Sequence, residues 1–265
     1  MTARLGFGSF AEHYDRVLVP AMFAPLADAV AAAVEAAPGD RVLDVACGTG
    51  ALTRVLAQRV APGGEVVGVD VAEGMLEVAR AHGGDATYLQ GSADALPVDD
   101  GRFTIVTCQQ GLQFTDDPSA ALRGFTRVLA SGGRIAVACW TELDQDAGFL
   151  ALAEAADEHL GPDAGRMVRA PFRLADPAEL RRRFEAAGIG DVVIEIERVV
   201  ARVAVAPGDF AEAVMAAGPA GAAYAGAAAA VREAFAADVA RRLQPHADGN
   251  GVSFEMPSLI AVARV

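Results

Sequence analysis

The amino-acid sequence predicts an α/β protein built on a doubly wound, largely parallel sheet. Three observations lead there. From residue 41 short apolar runs alternate with amphipathic stretches of helical period, the pattern of parallel strands joined by right-handed crossovers. The strand candidates are apolar on both sides, as a sheet covered by helices on both faces requires. The first of them runs into a glycine turn, Cys47-Gly48-Thr49-Gly50, that opens a helix. In such folds this is where backbone comes close to a ligand.

The elements follow in order. A strand over Arg41–Ala46 leads to a helix over Ala51–Val60, whose Leu52, Val55, Leu56 and Val60 recur at helical spacing. Ala61-Pro62-Gly63-Gly64 stops it. Glu65–Asp70 is a second strand and Ala72–His82 a second helix. Further strands are expected at Thr87–Gln90, Phe103–Cys108 and Arg134–Trp140, with a helix over Asp116–Leu129 whose acids suit its N-terminus. Beyond Trp140 the rhythm changes. A helix spans Asp144–Leu160, residues 161–174 read as a loop, and a helix over Asp176–Ala187 starts at an Asp cap and ends at Gly188. Two strands, Asp191–Ala204 and Val252–Val265, complete the sheet. Between them lies alanine-rich helix, Pro207–Leu243, interrupted by "AGPAGAAYAG". The expected organisation is a helical lid at 1–40, a core at 41–140, and the rest of the sheet at 141–265 with a cap inserted at about 207–247.

Charge and composition exclude several function classes. The net charge is −13 over 265 residues, which disfavours nucleic acid, whose phosphates need a basic face. The run Arg181-Arg182-Arg183 points three ways on a helix and reads as a solvated end. The chain contains no lysine, which removes Schiff-base and pyridoxal chemistry and the Walker lysine. Cys47, Cys108 and Cys139 sit in or beside apolar runs and read as buried side chains, and no metal-ligand spacing occurs. No uncharged stretch reaches the ~18–20 residues of a membrane helix, and the N-terminus lacks a secretion signal. The protein is expected to be cytoplasmic, without membrane or nucleic-acid partners, as a monomer or homodimer.

The glycine turn narrows the ligand. A dinucleotide loop needs a third glycine where this chain has Thr53, after Gly48 and Gly50. Asp44, inside the strand, would repel a pyrophosphate and suits a cationic amine. Asp70 ends the second strand, where a carboxylate can accept both ribose hydroxyls. "GSADALP" follows the third strand, where an adenine would lie. A nucleoside with positive charge and no phosphates fits, and S-adenosyl-L-methionine is one.

The stretch "VLDVACGTG … VVGVD … GSADALP … GLQF … RVLASGGRIAV" resembles the class I S-adenosylmethionine-dependent methyltransferases, in the branch of the ubiquinone/menaquinone C-methyltransferases. The resemblance covers roughly residues 10–140. It implies a Rossmann-like methyltransferase sheet, mostly parallel with an antiparallel last strand, plus helical cap segments. It further implies that Gly48, Gly50 and Ala46 admit the methionine part and that Asp44 binds its amine. Asp70 would take the ribose, and Val71 and Met75 would face the adenine. Ser92, often aspartate in relatives, would contact the adenine amino group, with the Ala93 backbone or Asp94 as substitutes. Cys108 and Gln109 would line the sulfonium side, and Tyr14 lies on an N-terminal helix that folds over the cofactor.

Methyl transfer from a sulfonium depends largely on alignment, with a base where the acceptor must lose a proton. His13, beside Tyr14, is the expected base, and Gln110, in "CQQGLQF", the residue that orients the acceptor. His159, Tyr224 and His246 are further candidates in the cap and near the last strand. The acceptor is expected to be a small, partly apolar molecule methylated on O, N or C. Competing readings are a same-fold enzyme of non-methyl chemistry such as a cyclisation, an NAD-dependent oxidoreductase, and a vestigial binding module.

Overall fold

The computed structural model describes residues 10–218 and 220–265. The first nine residues of the expected lid and Pro219 in the interrupted helix lie outside them. One continuous helical run opens the described chain: α1 (Phe10–Leu18), a π turn (Val19–Phe23) and α2 (Ala24–Ala33). Pro20, with no amide to donate, stands at the start of the wide turn. By length and composition this run could cross a membrane. Here it lies on the sheet, with Met22, Leu26, Ala27, Val30 and Ala31 buried in the core.

The alternating region then follows. It comprises β1 (Arg41–Val45), α3 (Ala51–Val60), β2 (Glu65–Asp70), α4 (Glu73–Ala81), β3 (Ala86–Gln90), β4 (Phe103–Gln109), α5 (Pro118–Val128) and β5 (Leu129–Trp140). Two of these boundaries differ from the sequence reading by more than one residue. The fifth helix starts at Pro118, not Asp116, because Asp117 is its cap, accepting from the amides of Ser119 (2.9 Å) and Ala120 (3.1 Å). The fifth strand starts five residues before Arg134, since Leu129 already pairs with Phe103 before a register shift.

Next come α6 (Ala147–His159), α7 (Pro162–Arg169), α8 (Pro177–Ala186), β6 (Val192–Val203), α9 (Pro207–Met215), α10 (Gly221–Gly226), α11 (Ala229–Leu243), β7 (Ala247–Asp248) and β8 (Gly251–Arg264). The loop expected at 161–174 is instead helix α7 and a 3-10 turn, Ala170–Phe172. Ala164 and Val168 are buried with the α6 alanines, and Arg169 pairs with Asp157 on α6 (2.8 Å). The alanine-rich stretch resolves into α9, α10 and α11.

The strand order is β3-β2-β1-β4-β5-β8-β6, with β7 on β8. Strands β1 to β5 pair in parallel, and β8 runs antiparallel to both β5 and β6. Successive strand residues point to opposite faces, so Val42 joins the core under α2 and α3 while Leu43 joins that under α5 and α8. The order reverses between β1 and β4. The crevice beyond the carboxyl ends of strands at such a reversal is where open α/β sheets take ligands.

Candidate functional site

The crevice between β1 and β4 is shaped by backbone that few side chains tolerate. After β1 the chain turns through Ala46 (φ 55°), Gly48 (φ 55°) and Gly50 (φ 82°), and Gly50 caps α3. An added Cβ at Gly50 would lie 2.7 Å from the Tyr88 hydroxyl oxygen, whereas one at Gly48 would stand in open space. After β4, Gln110 also takes a left-handed conformation (φ 56°), and Gly111 passes Ala46 so closely that a Cβ there would lie 2.4 Å from the alanine methyl. These two turns form the lips of the crevice.

Between them lies a small pocket of about 30 Å³ lined by Asp44, Ala46, Cys47, Gly48, Thr49, Ala51, Leu52 and Gln109, with Tyr14, Val19 and Phe23 closing it from the N-terminal helices. Its polar groups are incompletely satisfied. Asp44 is 1% exposed and accepts one hydroxyl on each oxygen, from Thr53 (2.6 Å) and Thr107 (2.9 Å). Burial pushes its carboxyl up to about 6, against the pull of those hydrogen bonds. The Gln109 amide nitrogen donates to the Phe23 carbonyl (2.9 Å). Among the described residues, Gln109 Oε1 and the Thr49 hydroxyl have no partner although buried. Burial, then the charges of Asp70 and Asp15, push the Tyr14 hydroxyl up, so it stays protonated.

Asp70, at the end of β2, accepts from the amides of Gly48 and Ala72, each at 2.9 Å. It thereby ties the glycine loop to the start of α4. Val71 is exposed beside it, its carbonyl accepting from Gln90 (3.0 Å). Met75 is half-buried one helical turn on, and Ser92 and Ala93 follow β3 along the same edge. The Ser92 hydroxyl accepts from the Asp94 amide (3.2 Å).

A second pocket, of about 270 Å³, opens on the other side of Tyr14 and Phe23. Its walls are apolar and largely aromatic: Phe10, Phe114, Trp140 and Phe149 join those two rings. Tyr14 stacks on Phe23 at 5.1 Å between ring centres, and Phe23 meets Trp140 at 5.9 Å. Among the described residues, Gln110 joins Tyr14 as a polar side chain in this wall. Its carbonyl oxygen accepts from Gln113 (2.9 Å), and its nitrogen donates to the Ser258 hydroxyl (3.4 Å).

The expected site residues thus divide. Tyr14, Asp44, Ala46, Gly48 and Gln109 meet in the small pocket, and Gln110 enters the apolar one. Gly50, Asp70, Val71, Met75, Ser92 and Ala93 lie outside both linings, along the turn and the ends of β2 and β3. Two expectations are corrected. Cys108 does not line the crevice: it is fully buried in the core with Cys139, because strand neighbours face opposite ways and Gln109 takes the pocket side. His13 is turned away from both pockets, its Nε2 2.8 Å from the Ala213 carbonyl of α9. Neighbours on a helix stand about 100° apart, so Tyr14 facing the crevice directs His13 elsewhere. His159 is tied to Asp238 (3.2 Å), and Tyr224 packs on Phe235. Sequence reasoning missed Thr107 and took Thr53 only as a failed glycine. It also missed the aromatic wall, which five separate segments contribute.

The stretch 43–137, which carries Asp44, both turn glycines, Asp70 and Gln109, matches the family described as Methyltransferase domain. The match is confined to that stretch, less than half of the chain. S-adenosyl-L-methionine is the cofactor of this family. The ubiquinone/menaquinone biosynthesis C-methyltransferase of Ectopseudomonas mendocina is 43% identical over 106 residues, 38% of this chain and 41% of that protein. Demethylmenaquinone methyltransferase of Lactococcus lactis is 42% identical over 102 residues, 37% of this chain and 40% of that one. The chain therefore spans about two-fifths of the length of these curated relatives. Among solved structures, YcgJ of Bacillus subtilis superposes with a TM-score of 0.58 at 19% identity, covering 90% of this chain and 97% of the other. At that identity the likeness is one of fold. Among the described residues the small pocket fits the amino-acid end of S-adenosyl-L-methionine: a buried carboxylate, an unpartnered amide oxygen and an unpartnered hydroxyl meet at the left-handed glycine turn.

Proposed function

We propose that this protein transfers a methyl group from S-adenosyl-L-methionine to a small, uncharged, largely apolar acceptor held in the aromatic pocket. One observation carries the reading: Tyr14 and Phe23 belong to both linings, so the two ligands are neighbours across two side chains. The bound cofactor supplies the methyl, already activated by its positive sulfur. The chain's part is to hold both partners in line and keep water away.

Asp44 receives the amine, Gly48 and Gly50 admit the methionine part beside Ala46 and Gln109, and Asp70 turns to the ribose. Val71, Met75, Ser92 and Ala93 border the adenine. Gln110 meets an oxygen or nitrogen of the acceptor within an otherwise apolar wall. With His13 engaged on α9, the lining of the aromatic pocket holds no histidine or carboxylate among the described residues. The reading therefore favours an acceptor that needs no strong base from the protein. About 30 Å³ is room for little more than water. On this reading the wall of Tyr14, Val19 and Phe23 draws back to admit the cofactor, residues 1–40 serving as a lid, 41–140 as the cofactor-binding core and 207–247 as a cap. The acidic chain, −13 in net charge, suits a cytoplasmic enzyme of small molecules and not one of nucleic acid or membrane surfaces.

Calorimetry with S-adenosyl-L-methionine, S-adenosylhomocysteine and NAD tests the site. Binding of the first two, lost in Asp70→Ala, supports it, and binding of NAD alone overturns it. Candidate acceptors are then scored by mass: a gain of one methyl supports transfer, and turnover without that gain points to a non-methyl reaction.

A further inference from the structure

Asp44 is a carboxylate at the floor of the small pocket without a cationic neighbour. Among the described residues no arginine or histidine pairs with it. The groups around it come from every adjoining element: Asp70 at the end of β2, Cys47 in the turn, Tyr88 on β3, Cys108 on β4 and Tyr14 on α1. The two thiols and two phenols are all pushed up and stay neutral at pH 7, and the Asp70 charge opposes that of Asp44. The Arg54 guanidinium is committed to the Thr49 carbonyl (2.6 Å). A buried carboxylate in such company takes a proton unless donors hold its charge. The side-chain donors it has among the described residues are two threonine hydroxyls, with the backbone amide of Thr53 beside them.

Both threonines are fully buried, and each is held by an element that touches Asp44. Thr107 is the strand-register partner of Asp44 across β1 and β4, and Thr53 lies on α3, one turn after the glycine loop. Valine would fill either space as well and suits a buried strand better than threonine does. The hydroxyl is what valine would lack, and its partner in both cases is Asp44.

We propose that Thr53 and Thr107 are positioning residues that keep the Asp44 carboxylate ionised and aimed, so that it binds the ammonium of a zwitterionic amino-acid group. This rests on reading the pocket as the seat of the cofactor's methionine end. It also explains why the position of a dinucleotide loop's third glycine carries threonine: glycine there would strip one carboxylate oxygen of its donor.

The test is calorimetric affinity between pH 5 and 8 for S-adenosyl-L-methionine and for 5′-methylthioadenosine, which has the nucleoside and no amine. Wild type is expected to lose affinity for the first ligand as pH falls below about 6, and to hold the second evenly. Thr53→Val should weaken the first at least tenfold at pH 7, on the order of 1.4 kcal/mol, and move its pH midpoint upward. It should leave the second unchanged, and Thr53→Ser should restore the wild-type profile. Thr107→Val, on the other oxygen, gives the same reading should Thr53→Val not fold. Unchanged affinity and pH profile in the valine variants, or equal loss of both ligands, overturns the proposal. Wild type that binds 5′-methylthioadenosine but not S-adenosyl-L-methionine overturns it too. Wild type that binds neither overturns the reading of the pocket itself.

Discussion

Asp146 caps the first turn of α6, accepting from the Phe149 amide at 2.9 Å through one oxygen, while its other oxygen is buried without a partner among the described residues. Burial pushes the carboxyl from 3.8 up to about 7, against the pull of the Phe149 and Gly148 amides. Because the folded value lies above the unfolded one, the native state holds the proton more tightly. This contribution to stability is full below about pH 4 and is lost as pH rises through 7. By pH 8 the ionised carboxyl withholds about 4 kcal/mol, an upper figure for one group. Asp146→Asn removes the charge and keeps a good cap, but leaves an unpartnered amide nitrogen at about 1–3 kcal/mol. The variant should therefore gain about 1–3 kcal/mol at pH 8, roughly 2–10 °C in Tm for a chain of this size, and nothing by pH 5. Scanning calorimetry of both proteins at pH 5 and 8, at equal ionic strength, reads the difference. A gain identical at both pH values, or a variant less stable at pH 8, would refute the argument. Phe149 is a wall of the aromatic pocket, so the same cap also sets that pocket's shape.

Asp70→Ala frees the amides of Gly48 and Ala72. It should weaken cofactor binding at least tenfold in calorimetry, given about 1.5–3 kcal/mol for a hydrogen bond to a charged group; wild-type affinity would remove Asp70 from the site. Gly111→Ala drives a methyl against Ala46 (2.4 Å) and the Cys108 sulfur (2.9 Å). Urea unfolding should show a loss of about 1–3 kcal/mol, and an unchanged midpoint would mean that the lips of the crevice can part freely. Gln110→Leu strips Gln113 and Ser258 of a partner. With an acceptor in hand it should raise KM more than it lowers kcat, and the opposite split would assign Gln110 to the chemical step.

The parallel core was legible because each strand is apolar on both faces and each crossover keeps helical period. Asp44 and the glycine turn stand out in sequence because an acid inside an apolar strand and a glycine turn after it have few structural uses, and the structure puts Asp44 and Gly48 in the lining of the small pocket. Helix α7 was not, since "PDAGRMVR" is only eight residues long and its apolar face is narrow, Ala164 and Val168; packing of that face on α6 and the Asp157–Arg169 pair hold it. His13 and Cys108 each stand beside a pocket residue in sequence, Tyr14 and Gln109, but not beside the pocket in space. Helical and strand geometry turn a neighbour away by about 100° or to the opposite face. The aromatic pocket left no sequence signature because its rings come from α1, the π turn, the turn after β4, β5 and α6.

The position of β8 inside the sheet has a consequence for how the chain reaches this state. Arg134 of β5 pairs with Arg264, and Trp140 with Ser258, so more than a hundred residues must be made before β5 meets its outer neighbour. Until then β5 carries an open row of amides and carbonyls along Arg134–Trp140, largely buried in the finished protein, and such an edge invites pairing with another chain. Contacts this distant in sequence slow the final step of folding. A chain whose five-stranded parallel sheet formed ahead of β8 would expose that edge, and there aggregation would compete with insertion of β8.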